Sequence, residues 1–96
     1  MANYVLLTNW TDQGAKAAKD TVKRVAAAKQ AWEKLGVRIK EFYWTMGKHD
    51  CVVICEAPND EAITAACVQL GALGNARTNT LRAFNESEME QILKKA

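Results

Sequence analysis

The chain has few of the features that would assign it at once to a specialised class of protein. Its 96 residues include one proline, one histidine and three cysteines. No apolar run approaches the roughly 18 residues that a membrane-spanning helix needs, and residues 1–4 lack the basic start of a signal peptide. We therefore expect a protein that contacts no membrane and stays in the cytoplasm.

Excess charge is also absent. The formal net charge is +2, which is too small to indicate binding to nucleic acid. The basic residues of the first helical segment are interspersed with acids, a pattern typical of a solvent-exposed helix face. These basic residues are Lys16, Lys19, Lys23, Arg24 and Lys29.

The cysteines favour neither a disulfide nor a metal site. Cys51 and Cys55 lie four residues apart on a predicted strand, so at ~3.3 Å per residue they are too distant to bridge. One histidine cannot complete a zinc site with that spacing. We predict three buried thiols in a reducing compartment, with no metal and no cofactor.

What the chain does contain is a regular alternation of strands and helices. Strand-forming residues fill 4–10, 37–46, 50–57 and 75–84, and Gly47-Lys48-His49 forms the turn between the middle two. Helix formers fill 15–35, with the main helix starting near Asp20. Further helices follow the caps Asn59 or Asp60 and Asn85, the last with a capping box to Glu88.

This order predicts one α+β domain over residues 1–96, a ferredoxin-like βαββαβ unit with a terminal helix and a four-stranded antiparallel sheet. Two helices cover only one face of such a sheet. The third strand is nevertheless apolar on both faces, and Val5 and Leu7 oppose Tyr4 and Leu6 on the first. We therefore expect a homodimer packed through the sheet face.

Four segments together resemble the GYD domain family: residues 4–14, 42–50, 56–61 and 73–84. The likeness extends from about residue 4 to residue 88. It implies a dimeric α/β-barrel made of two ferredoxin-like protomers, and it implies no particular activity. The family motif Gly-x-Tyr-Asp stands here as Gly47-Lys48-His49-Asp50, with His49 in place of the tyrosine.

The richest group of chemically active side chains lies around that turn. His49 is the candidate catalytic residue, because imidazole transfers protons near neutral pH. Arg82, in mid-strand, would bind an anion or pair with Glu41 or Glu56 of a second subunit. The predicted ligand-binding residues of a cleft between sheet and helices are Asn9, Trp10, Tyr43, Trp44, Asp50 and Arg82.

Three functions fit these residues. The first is a homodimeric protein that binds a small molecule, or a cofactor-independent enzyme. The second is a structural or regulatory dimerisation module without catalytic activity. The third is a haem protein with His49 as axial ligand.

Overall fold

The computed structural model describes residues 1–96 and contains the predicted order of strands and helices. The strands are β1 (Ala2–Trp10), β2 (Arg38–Trp44), β3 (Cys51–Ala57) and β4 (Ala76–Ala83). The helices are α1 (Asp12–Lys16), α2 (Thr21–Glu33), α3 (Asp60–Ala72) and α4 (Glu86–Leu93), with a 3-10 turn at Ala18–Asp20 before α2.

The four strands form one sheet in the order β2-β3-β1-β4, and every neighbouring pair is antiparallel. The predicted α+β class and four-stranded antiparallel sheet are confirmed. Strands β1 and β3 are the two central strands of the sheet. Both carry apolar residues on each of their two faces.

The core lies on one face of the sheet. Leu6, Val53 and Cys55 from the central strands pack with Trp32 of α2 and Ile63 of α3 in one buried cluster. Residues of β1 and β3 on the opposite face, such as Val5 and Ile54, are only half-buried. The molecule measures 48 × 31 × 18 Å, and the short axis reflects a single helical layer on a sheet.

The helix boundaries follow the predicted caps. Asn59 accepts the amide of Ala62 ahead of α3, and Asn85 forms the capping box with Glu88 ahead of α4. Gly36, after α2, has a φ of 78°, the left-handed conformation that favours glycine after a helix. The sequence predicts that Gly71 and Gly74 close α3. Gly74 follows the helix with a φ of 82°, whereas Gly71 lies inside the last turn.

The sequence predicts one apolar stripe at helical spacing, made of Val22, Val25, Ala28, Trp32 and Leu35, and the observed stripe of α2 is narrower. Val25, Ala28 and Trp32 face the sheet, whereas Val22 is 66% exposed. At 3.6 residues per turn, Val22 lies beyond Val25, outside the arc of the helix that Val25, Ala28 and Trp32 occupy, and it therefore faces solvent.

The β2–β3 connection is longer than the predicted three-residue turn. Strand pairing ends at Trp44 and Cys51. The hydroxyl of Thr45 then donates to the carbonyl oxygen of His49 at 2.6 Å, and the Thr45 amide donates to the carbonyl oxygen of Asp50. These bonds form a closed loop over residues 45–50, with Gly47 at a φ of 96°.

The close approach of α1 to the start of β4 depends on Gly14. A Cβ atom at Gly14 would lie 1.9 Å from the carbonyl oxygen of Asn75. Since that oxygen also accepts the Thr11 amide, the backbone has little room to shift. Glycine is therefore required here by packing rather than by its dihedral angles.

We predict that Gly14→Ala destabilises the protein although alanine is the better helix former. The expected loss in unfolding free energy is about 3 kcal/mol, measured by urea denaturation. Gly71→Ala is the matched control, since its Cβ would meet only the flexible end of the Arg77 side chain and should gain up to ~1 kcal/mol. Equal stability of the two variants would contradict the role of packing at Gly14.

Candidate functional site

A cavity of about 280 Å³ lies between the sheet and the helices. Of the 19 residues that line it, 14 are hydrophobic, so it is an apolar chamber with a few polar groups. It is roughly twice the size of a ~150 Å³ cavity that accepts benzene. This volume suits a small molecule of about two fused rings.

The floor of the cavity comes from the inward-facing residues of the central strands. Leu6, Thr8 and Trp10 alternate along β1, and Cys51 and Val53 alternate along β3. Thr8 pairs directly with Cys51 across the two strands. The period of two in a strand thus places a hydroxyl and a thiol side by side on the cavity floor.

A β-bulge in β2 completes one wall. The pairing register shifts between Ile39 and Glu41, so Lys40 is an extra residue in the strand. As a result Ile39 and Phe42 point to the same face, although their spacing of three would put them on opposite faces of a regular strand. Both side chains line the cavity.

The roof is α2, and its alanines create the space. Ala27, Ala28 and Ala31 line the cavity beside Val25 and Trp32. Ala28 is half-buried, whereas Ala27 and Ala31 are exposed, so the cavity is open to solvent along that side of the helix. The remaining wall comes from the end of α3 and the loop before β4, with Gln69, Leu70, Leu73, Asn75 and Ala76.

Thr8 carries the one buried polar side-chain atom in the chain that has no hydrogen-bond partner. Its side chain is 5% exposed. A buried hydroxyl without a partner costs about 1–3 kcal/mol. Thr8 lines the cavity, but its hydroxyl oxygen has less than 1 Å² of accessible surface. A ligand in the cavity would therefore reach that hydroxyl only after the Thr8 side chain rotates about χ1.

Arg24 is the one charged residue that lines the cavity. It was predicted on the solvated face of the helix, but it is half-buried. Its guanidinium donates to the carbonyl oxygens of Ala17, at 2.6 Å, and Gly14, at 3.3 Å. These are carbonyls at the end of α1, where a cation is favourable, and no carboxylate forms an ion pair with Arg24.

The buried thiols are not nucleophiles near neutral pH. Burial, with a smaller effect of Asp50, raises the pKa of Cys51 to about 11, against an opposing effect of Arg24. Burial raises the pKa of Cys55 to about 12. Since the thiolate is the reactive form, Cys51 offers the cavity a neutral, weakly polar S–H group. Cys51 and Cys55 are buried as predicted, whereas Cys67 is only half-buried, and all three are free.

Of the predicted site residues, His49 and Asn9 come together, but outside the cavity. His49 Nδ1 lies 2.8 Å from Asn9 Oδ1, and Asn9 Nδ2 donates to the carbonyl oxygen of Lys48 at 2.7 Å. Asn9 is exposed on the face of the sheet away from the helices. Catalysis and haem ligation by His49 remain predictions.

Asp50 does not meet His49. Its carboxylate accepts the backbone amide of Trp10 at 2.9 Å, while its own amide donates to the carbonyl oxygen of Thr8. Asp50 therefore fixes the end of β1, and Trp10 is the one predicted ligand-binding residue that lines the cavity.

Tyr43 and Trp44 point to opposite faces. Tyr43 is 55% exposed on the face without helices, where its hydroxyl lies 3.3 Å from Glu41. Trp44 packs against Phe42 with ring centroids 4.7 Å apart, and its indole N–H donates to the Thr21 hydroxyl at 3.0 Å. Trp44 thus joins the end of β2 to the start of α2 beside the cavity.

Arg82 lies at the other end of the sheet, opposite Tyr4. It pairs with Glu88 of the same chain at 3.5 Å, and its guanidinium carbon lies 4.5 Å from the centre of the Phe84 ring. The pKa of Glu88 is lowered, chiefly by the backbone amide of Asn85 and also by Asn3 and Arg82. A partner for Arg82 therefore exists within one chain.

The polar residues that line the cavity, Thr8, Thr21, Arg24, Gln69 and Asn75, were not predicted from the sequence as site residues, and Thr8 and Arg24 matter most among them. The sequence does contain an indication for Thr8, because it is a polar residue at an inward-facing position of the strand, between Leu6 and Trp10. Arg24 had none, because its neighbours Lys19, Lys23 and Lys29 mark the same helix as solvated.

The fold contains neither a cluster of metal-binding side chains nor a membrane-spanning helix. No group of three or more His, Cys, Asp or Glu side chains is arranged to hold a metal ion. None of the helices has the length and apolar character needed to cross a membrane.

Comparison with known proteins gives a family and a structural relative. The GYD domain model matches residues 4–93. The crystal structure of TTHA0845 from Thermus thermophilus is similar, with a TM-score of 0.55 and 25% sequence identity over 88% of this chain and 95% of that chain. No curated protein matches the chain.

We predict that Thr8→Val stabilises the protein by about 1–2 kcal/mol, because it removes a buried hydroxyl that has no partner. Urea denaturation measures the change. Thr78→Val is the matched control, since the Thr78 hydroxyl lies 3.1 Å from that of Thr80 and its loss should destabilise by up to ~1 kcal/mol. A Thr8→Val protein less stable than the parent would show that this hydroxyl is satisfied.

Proposed function

The chain belongs to the GYD domain family, and we propose that it is a homodimeric protein that binds a small, largely apolar molecule between its sheet and helices. The observation that carries the proposal is the hydroxyl of Thr8, which is buried without a partner on the floor of an apolar cavity. Ligand sites in general combine apolar walls with a few placed polar groups.

The stability cost of the cavity supports a binding role. The alanines of α2 forgo the apolar contacts that larger side chains would make with the sheet. Unfilled volume and an unpartnered hydroxyl both reduce stability, and such costs concentrate at functional sites. A protein whose helices served only as packing would gain by filling this space.

The uncovered face of the sheet supports the homodimer. Apolar side chains extend across all four strands there, namely Val5, Leu7, Tyr43, Val52, Ile54 and Leu81. Charged residues, such as the Arg38–Glu56 pair at 3.6 Å, lie toward the rim. An apolar centre with a polar rim is the usual composition of a protein interface.

The accessible surface agrees with an interface of ordinary size. The isolated chain exposes 6498 Å², whereas a folded monomer of its mass is expected to expose about 5,500 Å². The excess of about 1,000 Å² compares with the roughly 800 Å² that each partner contributes to a standard interface. Only 13 of 96 residues are fully buried, and a second copy would bury the central residues of the open face.

The same strand order supports a ferredoxin-like protomer in a dimeric α/β-barrel. Helix α2 connects β1 to β2, and α3 connects β3 to β4, so each helical connection passes over one intervening strand. Two such sheets facing each other would enclose the open faces and leave each cavity outside the barrel, under its own helices.

Binding in the cavity is tested by filling it. We predict that Ala28→Phe weakens the binding of 2-naphthamide, a neutral two-ring probe, by about tenfold or more in isothermal titration calorimetry. The phenyl ring should also raise the melting temperature, as cavity-filling substitutions do.

Ala26→Phe is the matched control, because Ala26 lies on the same helix but is exposed and does not line the cavity. It should bind the probe as the parent does. If the parent does not bind two-ring probes, or if Ala28→Phe leaves the affinity unchanged, the proposed binding function is wrong.

The dimer is tested by placing a charge on the open face. We predict that Leu81→Asp converts a dimer into a monomer in sedimentation equilibrium. Leu81 is 42% exposed in the isolated chain, so the carboxylate remains solvated in the monomer but would be desolvated at the interface.

Met46→Asp is the control, since Met46 is 97% exposed at the tip of the β2–β3 loop. This variant should remain dimeric. A parent protein that sediments at 10.6 kDa, the mass of one chain, would contradict the proposed dimer.

A further inference from the structure

We infer that the ligand of this cavity is a carboxylic acid whose carboxylate binds the guanidinium of Arg24 and the hydroxyl of Thr8. The inference rests on the proposed binding function and specifies the class of ligand. The ring system or hydrocarbon part of the ligand would occupy the apolar part of the cavity. Its charged group would lie at the end that contains Arg24 and Thr8.

The charge of Arg24 is not neutralised within the chain. The two ion pairs are Arg38–Glu56 and Arg82–Glu88, and neither includes Arg24. The two acceptors of its guanidinium are backbone carbonyl oxygens, which carry no formal charge. A guanidinium has five N–H donors, so donors remain for a further acceptor.

Arg24 and Thr8 belong to the same part of the cavity. Thr8 is paired with Cys51 across β1 and β3, and it lies two residues before Trp10, which is paired with Ala76. Arg24 donates to the carbonyl oxygen of Gly14, which packs against Asn75, the residue before Ala76. The positive charge of Arg24 also acts on the Cys51 thiol, lowering its pKa against the larger effect of burial. The guanidinium, the thiol and the unpartnered hydroxyl therefore form the polar end of an otherwise apolar chamber.

None of the nearby polar groups neutralises the positive charge of Arg24. The carboxylate of Asp50 also acts on Cys51, but it is held by the backbone amide of Trp10. The remaining polar side chains of the wall are uncharged: the hydroxyl of Thr21, which accepts the indole N–H of Trp44, and the amides of Gln69 and Asn75. An anion bound here would meet one cation, Arg24, which forms no ion pair, while the charge of Asp50 is partly offset by the Trp10 amide.

A carboxylate fits this arrangement better than a phosphate. One guanidinium supplies one charge and a planar pair of donors, which matches the two oxygens of a carboxylate. A phosphate monoester carries close to two negative charges near neutral pH, and the lining offers no second cation. The partly desolvated setting strengthens a single charged pair relative to the same pair in water.

The test compares two probes of the same shape, 2-naphthoate and neutral 2-naphthamide, by isothermal titration calorimetry on the full chain. We expect the parent protein to bind the carboxylate about tenfold to a hundredfold more tightly, the range for hydrogen bonds to a charged group. Arg24→Gln should abolish that preference while the amide keeps its affinity within about twofold.

Thr8→Val serves as the second variant. It should weaken both probes by a similar factor, because either head group accepts a hydrogen bond from the hydroxyl. If Arg24→Gln fails to fold, Arg24→Lys takes its place: it keeps the charge, loses the planar fork, and should retain a reduced preference for the carboxylate.

The outcomes separate this inference from the proposed function. Equal affinity of the parent for both probes, or a preference that survives loss of the guanidinium, would overturn the carboxylate assignment while leaving the cavity as a binding site. Failure of both probes to bind would overturn the binding function itself. Tighter carboxylate binding that depends on Arg24 supports both.

Discussion

The structure depends on one constraint: its sheet is apolar on both faces, and the chain supplies helices for only one of them. Successive residues of β1 and β3 point to opposite sides, so Leu6 and Val53 face the helices while Val5 and Ile54 face away. On the covered face the constraint yields a core with a cavity inside it. On the uncovered face it yields the surface that we propose as the dimer interface.

The cavity follows from an uneven match between helix and sheet. Trp32 and Ile63 belong to the buried core cluster, whereas the alanines of α2 line the cavity together with Thr8 and Cys51. The start of α2 is fixed by hydrogen bonds, from the Trp44 indole to Thr21 and from Arg24 to the carbonyl oxygen of Ala17.

Much of the fold could be predicted from sequence because local signals specify it. The caps at Asn59 and Asn85, the glycine after α2 and the alternation in β3 each have a local cause.

The cavity could not be predicted in the same way. The bulge at Lys40 changes which residues share a face, and Arg24 is drawn inward by the carbonyls of a segment whose position depends on the Gly14–Asn75 contact. The turn around His49 was predicted as a site because it concentrates aromatic and ionisable residues. The strand register, however, places these residues on opposite faces of the sheet.

The most direct test of ligand binding under α2 is a crystal structure of the protein with 2-naphthoate. We expect the ring system between α2 and the central strands, with the carboxylate within hydrogen-bonding distance of Arg24 and Thr8. A ligand bound instead at the His49–Asn9 pair, or on the open face of the sheet, would contradict this binding site.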